Sequence, residues 1–121
     1  MGRPSYSVTS EKRGGMNLDK KKIAEELGIP EDMYNELLQD FTNQAETVLP
    51  QLQAAVEAKD FQQIMERGHF IKGSAGNLRI GELYAIAKEI ESGAKEGKDL
   101  ETIKMHMESF KNGFEELKKL I

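Results

Sequence analysis

The sequence predicts an all-α fold: an antiparallel four-helix bundle with a short extra N-terminal helix. Three observations lead there. Apolar residues recur at alternating steps of three and four along four long segments, which places them on one face of each helix. Aspartates and Gly or Pro punctuate the segments where helix starts and stops belong. No segment reads convincingly as a strand, and short connections between long stripes specify antiparallel neighbours. At 121 residues the chain suits one domain with one core rather than two.

The elements follow in order. The first residues, through Gly15, are rich in Gly, Ser, Arg and Pro and carry no apolar period, so residues 1–17 read as a disordered leader or linker and residues 18–121 as the folded domain. Asp19 caps a short helix that runs to Leu27, is stopped by Gly28 and turns Ile23 and Leu27 inward. Pro30 suits the first turn of the next helix. That helix carries the stripe Tyr34, Leu38, Phe41, Ala45, Val48, Leu52, Ala55 to about Ala58, with a kink expected near Pro50 because proline removes one backbone hydrogen bond. Asp60 caps a third helix with the stripe Phe61, Ile64, Gly68, Ile71, Ala75, Leu78. Gly81 marks a turn, and Leu83, Ile86, Ala87, Ile90 and Ala94 make a fourth amphipathic helix ending near Gly97. Asp99 caps the last, striped by Leu100, Ile103, Met107, Phe110, Phe114, Leu117 and Ile121.

Composition narrows the function. There are no cysteines, which removes disulfides and thiolate zinc sites and favours a reducing compartment, read as the cytoplasm. No apolar run reaches the roughly 20 residues that span a membrane, and the N-terminus lacks a signal-peptide core. The net charge of −4 is uneven: Asp19 to Asp60 holds ten acids against four bases, whereas Phe61 to Lys98 holds five against six. Arg67, Lys72, Arg79, Lys88 and Lys95 therefore surround the third helix, a balance that suits a phosphoryl group and an acidic partner pocket better than a nucleic acid.

The third helix carries the chemistry. His69 lies one step off the apolar stripe, so its surface neighbours three and four residues away are Met65, Glu66, Lys72 and Gly73, with Gly76 a turn further on. Each helical glycine costs about 1 kcal/mol relative to alanine, so Gly68, Gly73 and Gly76 demand a compensating reason. Close approach of a partner's backbone supplies one. If the third and fourth helices fold back about Ile80, residues equidistant from it lie at equal depth: His69 with Glu91, Gly73 with Ala87, Gly76 with Tyr84. A carboxylate at Glu91 can then accept from Nδ1–H of His69 and leave Nε2 free as a nucleophile. The competing partners for Glu91 are Lys88 and Lys95 on its own helix.

The run His69-Phe70-Ile71-Lys72-Gly73-Ser74-Ala75-Gly76-Asn77-Leu78, followed by Gly81, resembles the phosphorylation motif of histidine-containing phosphotransfer (HPt) domains. The resemblance implies a phosphoryl carrier in a two-component phosphorelay rather than a complete enzyme. His69 would be the phosphoacceptor, with Lys72 beside the phosphoryl oxygens and Glu91 beside the ring, and Met65, Gly73, Gly76, Asn77 and Lys88 on the partner-binding surface. The implied partners are a response-regulator receiver domain and a hybrid or chemotaxis-type histidine kinase. Magnesium would be supplied by the receiver, so the chain itself needs no cofactor, and neither nucleic acid nor membrane is a partner.

Other readings fit less well. Gly68 to Ser74 has the order Lys-Gly-Ser and no preceding strand, unlike a phosphate-binding P-loop. Gly73-x-x-Gly76 looks like the clamp of KH RNA-binding domains, which need a sheet that this chain does not offer. Ser74 has no base beside it, and His106, one residue before Met107, reads as an exposed histidine without function. Two isolated histidines and no cysteine make a poor metal site. Two alternatives stay open: the N-terminal phosphoacceptor domain of a chemotaxis-type histidine kinase, and a non-catalytic helical adaptor bundle.

Overall fold

In the computed structural model, which describes residues 18–97 and 99–121, five α-helices follow one another and no strand is formed among the described residues. They are α1 (Lys20–Leu27), α2 (Glu31–Glu57), α3 (Phe61–Asn77), α4 (Gly81–Lys95) and α5 (Leu100–Lys118). Helices α2 to α5 form the four-helix bundle. Each packs on its sequence neighbour and α5 closes the ring against α2, while α1 lies on α2 alone. The all-α prediction of a bundle with a short extra helix describes this architecture. The leader read at residues 1–17 lies outside the described residues.

The anticipated stripes form the core. Tyr34, Leu38, Leu52, Ile64, Ile71, Leu83, Ile90, Ile103, Phe110 and Leu117 are completely enclosed. Phe41 and Phe114 meet edge to face, with centroids 6.5 Å apart, a favoured geometry for aromatic rings. Asp19, Asp60 and Asp99 each cap a helix by accepting a backbone N–H, from Lys22, Gln63 and Glu101 respectively. No helix among the described residues is long and apolar enough to cross a membrane.

Three local expectations need correction. Pro30 is the N-cap of α2 rather than part of its first turn. Helix α2 runs through Pro50 to Glu57, as its stripe implies, with Pro50 on the exposed side, where the carbonyl it leaves without a partner can be hydrated. Ile121 lies beyond the end of α5 and is exposed, so the last stripe ends at Leu117. Finally, the turn before α4 is not made by Gly81, which is the first residue of the helix. It is made by Arg79, at φ 60°.

Arg79 shares its left-handed backbone with Gly97, at φ 68° after α4, and with two further helix stops. Gly28 at φ 72° ends α1 and Lys59 at φ 58° ends α2. At Gly28, Lys59 and Arg79 the next residue's N–H reaches back five residues: Ile29 to Ala24, Asp60 to Ala55 and Ile80 to Ala75. This is the left-handed helix stop that satisfies orphan carbonyls, built twice without glycine.

A buried hydrogen bond secures the end of α3. The Tyr34 hydroxyl on α2 donates to the Leu78 carbonyl at 2.5 Å, and burial pushes the phenol up to about 12, so it remains a donor. Tyr34→Phe should destabilise the fold by about 1 to 3 kcal/mol, the cost of leaving a buried carbonyl unpaired, as measured by urea unfolding.

Candidate functional site

His69 stands on the outer face of α3 with 68% of its side chain exposed. Its phase follows from the stripe: Gly68 is buried against α4, and one residue further on the side chain swings away from the core. The contact at Gly68 is tight. A Cβ there would lie 3.1 Å from the backbone N of Glu91, and 3.3 Å from both its Cα and Cγ2 of Ile90. The missing side chain therefore lets α4 approach α3 beside His69, and Glu91 arrives next to the ring.

The Glu91 carboxylate holds two groups. Oε2 is 2.8 Å from His69 Nδ1 and Oε1 is 2.6 Å from Lys72 Nζ. An ionised carboxylate only accepts, so Nδ1 carries a proton and donates it to Glu91. Burial alone would raise the Glu91 pKa, but the hydrogen bonds from Lys72 and His69 and their charges outweigh it and leave the carboxyl below its ordinary value. Lys72 is correspondingly raised, chiefly by its hydrogen bond to Glu91. The side chains of Lys72 and Glu91 are only 24% and 18% exposed, so the ion pair forms a recessed floor under a projecting imidazole.

The sequence brought His69 and Glu91 to the same depth but not Lys72 to Glu91. The missed signal is side-chain direction. Helical side chains lean toward their own N-terminus, so on antiparallel helices Lys72 leans back to the depth of His69 while Glu91 leans toward Lys72. Neither Lys88 nor Lys95 takes the place anticipated beside Glu91, and both are exposed.

The remaining site candidates divide by surroundings. Gly73 is exposed and nothing lies within 4 Å of where its Cβ would be, which leaves open surface one turn from His69. Gly68 and Gly76 have an internal reason instead: a Cβ at Gly76 would meet the Tyr84 ring at 3.0 Å. Packing within the hairpin therefore accounts for two glycines of the three. Asn77 is exposed at the end of α3, and Met65 is half-buried against the core. His106 is half-buried rather than exposed, on α5, which does not pack on α3. Two exposed aromatics went unnoticed as part of this surface: Phe70 beside His69, 44% exposed, and Tyr84, 38% exposed.

The chain matches the family model of the Hpt domain over residues 36–119. It belongs to the Hpt domain family. It is also 36% identical over 53 residues to the Multistep phosphorelay regulator 1 of Schizosaccharomyces pombe, a match covering 44% of this chain and 18% of that protein. The matched stretch is thus less than a fifth of the curated relative. No solved structure matches the chain significantly. Membership gives the bundle a phosphotransfer role in two-component signalling, as a phosphocarrier module.

Two outcomes test this geometry. Gly68→Ala should destabilise the protein by about 1 kcal/mol, since overpacking against backbone exceeds the gain in helix propensity, whereas Gly73→Ala should stabilise it by about 1 kcal/mol. Urea unfolding measures both. The second outcome concerns pH. The contribution of Glu91 is complete above the ordinary carboxyl value of 4.5 and disappears as pH falls from there through its lowered folded value. That of Lys72 is complete below 10.5 and disappears as pH rises through its raised folded value. The stability gap between wild type and Glu91→Gln should therefore be widest near neutrality and close in acid.

Proposed function

We propose that His69 is the phosphoacceptor and that it exchanges a phosphoryl group with an aspartate of a receiver domain. The observation that supports this reading is the His69 ring itself, with Nδ1 engaged by Glu91 and 68% of the side chain exposed. Transfer demands chiefly positioning and charge stabilisation. The Nε2 lone pair attacks phosphorus, the bond from phosphorus to the aspartyl oxygen breaks, and the aspartate leaves as carboxylate. The ring keeps its Nδ1 proton and takes on positive charge, which Glu91 stabilises.

The metal ion belongs to the receiver in this reading, and the reaction runs where receiver and kinase meet this chain, in the cytoplasm. Gly73 and the exposed Asn77, Lys88 and Phe70 supply the docking surface near the ring, with Gly76 shaping it by seating Tyr84 and Met65 filling in below. Lys72 serves the phosphoryl oxygens. The role as phosphoacceptor domain of a larger kinase uses the same residues, and differs only in the donor.

Incubation with a phosphorylated receiver should transfer label to the wild-type chain, and the label should be labile in acid and stable in base. His69→Gln should abolish labelling with helix content unchanged, and His106→Gln should label normally. Equal labelling of the His69 variant would sink the assignment. Gly73→Gln should weaken receiver binding by about tenfold, the scale of roughly 1.4 kcal/mol for an obstructed contact, as read by titration calorimetry.

A further inference from the structure

The charge on Lys72 is already taken in this structure. Its ammonium is 2.6 Å from Glu91 Oε1 while His69 Nδ1 is 2.8 Å from Oε2, so one carboxylate stands between the nucleophile and the cation expected to serve its phosphoryl group. Before transfer, the Lys72 cation and the Glu91 anion balance each other, and the ring attacks in its neutral form, the form with a free Nε2 lone pair. Transfer adds a phosphoryl dianion on Nε2 and, because the Nε2 lone pair enters the new bond while Nδ1 keeps its proton, a positive charge on the ring.

Resting on the reading of His69 as phosphoacceptor, we propose that Lys72 changes partner on phosphorylation, leaving Glu91 for the phosphoryl oxygens while Glu91 passes its charge to the ring. Three observations carry this. The ring's new charge appears on the nitrogen already bonded to Glu91, so the carboxylate loses one cation and gains another without moving. Lys72 is the ammonium already at the floor of the site, on a flexible four-carbon stem with three donors, and a dianion left beside an anionic carboxylate would be repelled. Gly73 leaves open space next to Lys72, with nothing within 4 Å of its would-be Cβ, where phosphoryl group and ammonium can meet. Glu91 is then a positioning residue: it stores Lys72 beside the ring and releases it when the ring becomes cationic.

The test follows the Lys72 Nζ resonances and the Glu91 carboxyl carbon by NMR in the full chain, before and after phosphorylation with phosphoramidate, a small donor that needs no receiver. In wild type, slow-exchanging Lys72 ammonium protons should be present in both states, with a shifted resonance and contact to phosphorus only in the second. In Glu91→Gln the amide oxygen still accepts from Nδ1–H but no longer holds an ammonium. The slow-exchanging Lys72 signal should therefore be lost before phosphorylation and appear after it. A wild-type Lys72 resonance that does not move, or a Lys88 resonance that moves in its place, overturns the exchange even if Glu91→Gln folds poorly. Absence of a phosphohistidine phosphorus signal, or its persistence in His69→Gln, overturns the underlying reading and the exchange with it. A His69-dependent signal with an unmoved Lys72 overturns the exchange alone.

Discussion

The approach of α4 to α3 at Gly68 is the constraint on which the site depends. With a hydrogen in place of a side chain, the α3 surface lets the backbone of Glu91 come within 3.1 Å of a would-be Cβ. Everything at His69 follows from that depth. Glu91 reaches Nδ1, its other oxygen reaches Lys72, and the imidazole needs no burial to be oriented. The arrangement keeps the imidazole exposed while the groups that orient it stay recessed.

Glycine in a helix is normally a loss, and here its three uses differ. Gly68 allows backbone proximity, Gly76 seats an aromatic ring, and Gly73 leaves the surface bare. A partner would feel only the last directly. The first two act inside the hairpin, through the contacts they allow between α3 and α4.

Much of this was legible in the sequence for simple reasons. The core stripes, the aspartate caps and the depth of Glu91 opposite His69 all follow from a fixed helical repeat and short connections. The Lys72–Glu91 pair was not legible, because matching residues by distance from the turn ignores the lean of side chains, which spans most of a helical turn. The turns at Lys59 and Arg79 were missed because a left-handed stop is sought at glycine or asparagine, and here the backbone adopts it with long basic side chains. That misled the reading at Gly81, where a nearby glycine drew the turn two places too far. The half-burial of His106 was hidden by the same kind of cause: its neighbours on the stripe are known, but how far α5 tilts toward the rest of the bundle is not written in a periodic pattern.

Those two stops bracket α3 and fix its length between Asp60 and Arg79. A shift of one residue turns a helix by about 100°. Deleting a single residue between Asp60 and His69 would carry the imidazole into the contact that Gly68 now occupies, whereas inserting one there would carry it to the exposed position of Phe70 and away from Glu91. The hairpin thus behaves as a combination lock with one setting that puts the imidazole beside Glu91, in which its phase is set by where the chain is forced to turn.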